Sequence, residues 1–200
     1  ITAGRSGTTN GGSYPTYNLN IFDWENGQLV NKTSRWFSGS DNVILGTEPS
    51  VKFGDLNGDG KRDMFVSPNT DNTPTGSGWL FLNNGSNFTR VNLGLDVAGH
   101  DSAIYDINRD GVDDIFVTGS RVVFGSRTNN FIAHTVSGRD YGGTAGSVAI
   151  ADFMGNGGSS IILTDQTGFQ TGGTRLYSWT LDNANQNFVL TNIEIGRAHV

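Results

Sequence analysis

Cysteine is absent from this chain of 200 residues. That excludes a disulfide framework and any thiolate metal site. Histidine occurs three times, and no His-Glu-x-x-His helix motif, Gly-x-Ser-x-Gly elbow or Ser-His-Asp order is present. Nothing in the sequence therefore fixes a catalytic constellation. No apolar stretch approaches the roughly 18 to 20 residues of a membrane helix. The net charge is −6 with no basic run, so nucleic acid is not an expected partner. Apolar residues never recur at the helical period of 3.6 for more than a turn, and glycines interrupt every segment, which excludes a helical protein.

What the chain does contain points the other way. Its 29 glycines are about twice the usual share, and much of the rest is Asn, Ser and Thr. This is the profile of many short strands joined by turns. Twelve Phe, five Tyr and four Trp supply enough large apolar surface to argue against disorder.

One stretch organises the rest: Asp55-Leu56-Asn57-Gly58-Asp59-Gly60-Lys61-Arg62-Asp63. Side-chain oxygens stand at positions 1, 3, 5 and 9, with glycine at position 6. The pattern recurs as Asp106-Ile107-Asn108-Arg109-Asp110-Gly111-Val112-Asp113-Asp114. Hard oxygen ligands at every second residue, bent round a glycine, suit Ca²⁺. The expected ligands are Asp55, Asn57, Asp59 and Asp63 with the Lys61 carbonyl, and Asp106, Asn108, Asp110 and Asp114 with the Val112 carbonyl. Two sites are expected. An EF-hand loop needs a glutamate at position 12, where Val66 and Val117 stand instead. A phosphate-binding loop is excluded by its glycine spacing, by Arg62 after the Lys, and by three carboxylates that would repel phosphate.

The same frame appears a third time from Asp152, but with Met154 at position 3 and Ser160 at position 9. That copy is expected to be a structural loop without metal. Asp55 to Asp106 spans 51 residues and Asp106 to Asp152 spans 46. In each repeat, apolar runs flank the Asp loop and an Asn/Gly-rich hairpin follows, ending in Phe88, Phe131 or Phe188. A further hairpin, around Asn26-Gly27, opens the chain. Four strands in about 40 to 50 residues fit a β-propeller blade.

The Asp-x-Asn-x-Asp-Gly-x-x-Asp loop after a short strand, with its Asn-Gly hairpin, resembles the FG-GAP/VCBS repeat family. These are the calcium-binding blades of integrin α-type propellers and of many secreted bacterial proteins. The resemblance covers residues 14–194. It implies an all-β fold: a β-propeller of four-stranded antiparallel blades, three and a half of them present, within a ring of about seven. The expected divisions are a flexible lead-in at 1–13, the second half of a blade at 14–37, and blades at 38–92, 93–137 and 138–194. Residues 195–200 resemble the translation of a sequencing adapter and are expected to carry no function.

Calcium loops and Asn/Gly turns fall at one end of such blades, and the long connections at the other. Irregular loops on a rigid scaffold are where binding residues concentrate. Asp71, His100, Asp101, Arg139, Asp140 and Tyr141 are the candidates there. Trp36, at a strand end, and Trp79, at a strand start, are expected to be core or blade-interface residues. The resulting expectation is an extracellular or cell-surface binding and adhesion module for a glycan or a protein, stabilised by Ca²⁺ and by the other blades of its own chain. The alternative is the propeller portion of a secreted polysaccharide lyase or another carbohydrate-active enzyme. Extracellular sites of this kind bind calcium at roughly 10⁻⁴–10⁻³ M, too weakly to fill in the cytosol.

Overall fold

The computed structural model describes residues 2–5, 17–38, 44–45, 49–67, 78–93, 100–118, 121–137, 145–153, 160–165, 174–182 and 187–193. The chain opens with β1 (Thr2–Arg5), β2 (Tyr17–Asn20), β3 (Phe22–Glu25), β4 (Gln28–Asn31), one helical turn α1 (Thr33–Trp36) and β5 (Ile44–Leu45). β2 lies between β1 and β5. The lead-in expected at 1–13 thus contains a paired strand, whose backbone groups find their partners on β2. β3 and β4 form the expected hairpin. Its two-residue turn is Asn26-Gly27, at φ 51° and 80°. Only Gly and Asn or Asp take such left-handed pairs readily, and their twist matches that of the strands. Trp36 closes α1 rather than a strand. The Thr33 amide donates to Asn31 Oδ1 at 2.9 Å and the Phe37 amide to the Thr33 carbonyl at 3.0 Å, which coils this segment locally.

Three four-stranded antiparallel meanders follow. The first is β6 (Ser50–Gly54), β7 (Asp63–Ser67), β8 (Trp79–Asn83) and β9 (Phe88–Val91). The second is β10 (Ser102–Tyr105), β11 (Asp114–Val117), β12 (Arg121–Val123) and β13 (Ala133–Ser137). The third is β14 (Ala145–Ala151), β15 (Ser160–Asp165), β16 (Thr174–Asp182) and β17 (Asn187–Ile193). The inner strands stand side by side, β10 beside both β6 and β14. This is the blade architecture of a propeller, as an open stack rather than a closed ring. One pairing was not foreseen. The last strands of the second and third blades, β13 and β17, run parallel and pair at Val136 opposite Phe188 and Ser137 opposite Val189. Equivalent strands of successive blades point the same way, so any edge-to-edge meeting between them must be parallel. The pairing covers two edges that would otherwise expose unpaired backbone groups.

The blades hold together through their faces. Strand side chains alternate between two faces, and here both are buried. On β7, Met64 and Val66 point to one side and Phe65 to the other, all three with no exposed surface. Met64 and Val66 join Phe81 and Phe88 against Leu19, Ile21 and Phe37 of the N-terminal segment, with Trp36 and Trp79 packed alongside. The two tryptophans are therefore interface residues, as expected. Phe65, Leu56 and Leu80 meet Ile115, Val117 and Val123 of the second blade. Phe116, Val122 and Ile107 meet Ile161 of the third. Each of these three clusters among the described residues is thus an interface between successive units. Gly54 permits the tightest approach: a Cβ there would collide with Ile104 Cγ2 and stand 2.7 Å from Asp113 Oδ2. Removal of Phe65 from this two-sided packing should cost about 3–5 kcal/mol. Phe53, 39% exposed on β6, should cost much less when changed to alanine. Urea unfolding of Phe65→Ala and Phe53→Ala measures the contrast.

Candidate metal centre

The two complete Asp loops join the first and second strands of their blades. They share the same set of amide-to-side-chain bonds at positions 1, 3 and 5. In the first, Asp55 Oδ1 accepts the Asp59 amide at 3.0 Å and Oδ2 accepts the Gly60 amide at 2.9 Å. Asn57 Oδ1 also accepts the Asp59 amide, at 3.1 Å. Asp59 Oδ1 accepts the Lys61 amide at 2.9 Å. In the second, Asp106 accepts the amides of Asp110 and Gly111 at 3.1 and 2.9 Å, Asn108 that of Asp110 at 3.0 Å, and Asp110 that of Val112 at 2.9 Å. These are turns nucleated by Asp and Asn side chains. Gly60 and Gly111 at position 6 take φ 82° and 81°. Position 4 is left-handed as well: Gly58 at φ 71° and Arg109 at φ 62°. The glycine at position 58 hinted at this, and the arginine in the second copy concealed it.

The position 9 carboxylates, Asp63 and Asp114, have no exposed surface. Asp63 accepts the Leu56 amide at 2.9 Å and the Asn83 amide at 2.8 Å. Asp114 accepts the Ile107, Asn108 and Gly125 amides at 2.8, 3.3 and 2.8 Å. Each ties its loop to the hairpin between the third and fourth strands of its blade. The two kinds of turn therefore share one end of the blade, as the meander required. Burial pushes the Asp63 carboxyl up against the pull of those amides, and the charges of Asp59 and Asp55 add to the rise. Burial raises Asp114 to about 6. Asp59 moves the other way, lowered by its hydrogen bond to the Lys61 side chain. Lys61 Nζ stands 2.8 Å from Asp59 Oδ2, a tethered cation at the first loop. The second loop has the buried Val112 at that position. The donor set, all hard oxygens clustered at like charge, suits a divalent cation. Among the described residues, no group of three or more acidic or histidine side chains is placed to hold a metal ion. Of the third loop only Asp152 and Phe153 fall, with Ser160, within the described residues.

Residues 55–117, both loops and the strands between them, match the family model of the FG-GAP-like repeat. Over that stretch the chain is similar to the FG-GAP-like repeat. No curated protein matches it.

At the opposite end of these blades lies a second polar centre, which contains residues expected to bind ligand. Asp101 enters β10 between two neighbouring blades. Ser50 Oγ donates to its Oδ1 at 2.7 Å and Lys52 Nζ lies 3.0 Å from the same oxygen, both from the first blade. The Val148 amide of the third blade donates to Oδ2 at 3.3 Å. Thr118 and Asp101 bond each other, amide to hydroxyl at 3.1 Å and amide to carbonyl at 3.0 Å. One carboxylate thus ties three blades. His100 lies beside it, half-buried. Asp71, Arg139, Asp140 and Tyr141 lie outside the described residues.

Burial pushes the Asp101 carboxyl up, but hydrogen bonds from Ser50, the Ser102 amide and Lys52, with the Lys52 charge, outweigh it and hold it below the ordinary range. A lowered folded value means that the stabilisation is fully present above the unfolded value of about 3.9 and is lost as the pH falls through the folded one. Asp101→Ala should cost about 1–3 kcal/mol at neutral pH. The gap to the parent chain should close in acid, as read by urea unfolding across pH. An unchanged gap at low pH would mean that the carboxylate charge is not what ties the blades.

Proposed function

We propose that the two FG-GAP loops bind Ca²⁺ and that the ion stiffens one end of an extracellular β-propeller-like recognition module. The observation that carries this reading is the bonding pattern the two loops share at positions 1, 3 and 5, each closing a set of hard oxygens over a buried position 9 carboxylate. Two like-charged sets of this kind repel internally, and a divalent cation relieves that repulsion. Ion binding exchanges some of the loop amide contacts for metal contacts. In the first loop it also displaces the Lys61 ammonium from Asp59.

The recognition role rests on the division of the blades into two ends. One end is held by short, hydrogen-bonded turns. The other carries the long connections, where a rigid scaffold presents binding residues. A glycan or an extracellular protein is the proposed ligand class. Calcium then acts on recognition through the stability of the scaffold, not by contact with the ligand.

Calorimetry with calcium should find two weak sites of the extracellular class. Asp59→Ala should remove one, and Asp59→Ala with Asp110→Ala should remove both. At free calcium about 100 times Kd, each site should add roughly 2.7 kcal/mol of stability. Chelator should lower the melting temperature and calcium restore it. Identical melting curves in chelator and in calcium would reduce the loops to turns and sink the proposal.

A further inference from the structure

The two loops touch, and they do so through a residue at a position that the metal motif leaves open. Asp113 is position 8 of the second loop, between Val112 at position 7 and Asp114 at position 9. Its Oδ2 accepts the Asp55 amide at 2.8 Å. Its own amide donates to the Asp55 carbonyl at 3.0 Å. Asp55 is position 1 of the first loop, and its carboxylate organises that loop through the amides of Asp59 and Gly60. A reciprocal pair of hydrogen bonds therefore joins the mouth of one loop to the closing segment of the other, across the blade interface.

The surroundings make this joint tight. The Ser126 amide donates to the Leu56 carbonyl at 2.9 Å. Gly54 and Gly125 leave no room for a Cβ beside Asp113. Arg127 lies over both loops: its Nη2 donates to the Asp110 carbonyl at 3.1 Å, and a Cβ on Gly58 would stand 3.2 Å from its Cγ and Nε. Position 8 of the first loop is Arg62, an exposed residue, so the carboxylate at this position is a feature of the second loop.

We propose that Asp113 is a positioning residue that couples the two loops, so that calcium bound in one raises the affinity of the other. The coupling rests on the calcium reading above. Its physical basis is shared ordering. An ion in the second loop fixes positions 7 and 9 on either side of Asp113, which then holds Asp55 in place. The first loop has less freedom left to lose when it binds, and by linkage the effect runs equally in reverse.

Calcium calorimetry on the full chain tests this. With the second loop disabled by Asp110→Ala, the first loop should bind about fivefold more weakly than in the parent chain. In an Asp113→Leu background, Asp110→Ala should leave the first loop unchanged. Asp113→Asn, which keeps an acceptor oxygen for the Asp55 amide, should preserve the coupling. A purely structural Asp113 would lower the melting temperature on substitution and leave the coupling intact, which overturns the proposal. If the leucine variant does not fold, Asp113→Ser, too short to reach Asp55, takes its place. Two sites that bind independently in the parent chain overturn the coupling alone. No calcium binding at all overturns the reading beneath it and the coupling with it.

Discussion

The first two blades bury both faces of their second strands, and they do so against their neighbours. Phe65 and Phe116 point away from Met64 and Ile115 into different interfaces, yet all four are essentially inaccessible to water. Among the described residues, neither of these blades has a core of its own. The apolar clusters all straddle successive units, so stability is a property of the stack, as in other repeat proteins. This explains how a chain with so modest an apolar content forms an ordered fold. A few large side chains are used at full burial, and polar residues are left for the turns.

Polar contacts then decide how the stacked faces are registered. Apolar packing is non-directional and tolerates sliding. The hydrogen bonds at the two ends of the inner strands do not. At one end Asp101 gathers Ser50, Lys52 and Val148. At the other, Asp55 and Asp113 exchange backbone and side-chain bonds. The Asp101 and Asp113 carboxylates each accept hydrogen bonds from an adjacent blade, and partial burial of those charges is tolerable only because those partners are present. The same two ends differ in chemistry. One is built from short turns that gather negative charge; the other ends in the long connections. The proposed calcium loops and the proposed recognition surface would thus be separated along the strand direction.

Much of this was legible in the residues. The nine-residue spacing, repeated at Asp55 and Asp106, located both loops, because an Asp/Asn turn around a left-handed glycine has few alternative conformations. Asn26-Gly27 announced its hairpin for the same reason. Alternating and continuous apolar runs placed the strands. These are local signals, set by φ/ψ preference and by hydrogen bonds a few residues apart, and a linear reading recovers them.

What the sequence could not decide is what lies across the interfaces. Asp113 reads as one more acid in an acidic loop, and only the neighbouring blade turns it into the partner of Asp55. Asp101 reads as a loop residue beside a histidine, and only three converging blades make it a tie. The pairing of β13 with β17 and of β1 with β2 joins segments whose separation carries no local signature. Sequence by itself determined the repeat, its loops and its turns, because those follow from neighbouring residues. The tertiary structure alone decided which carboxylates hold blades together, because a charge acquires that role from groups about 50 residues away.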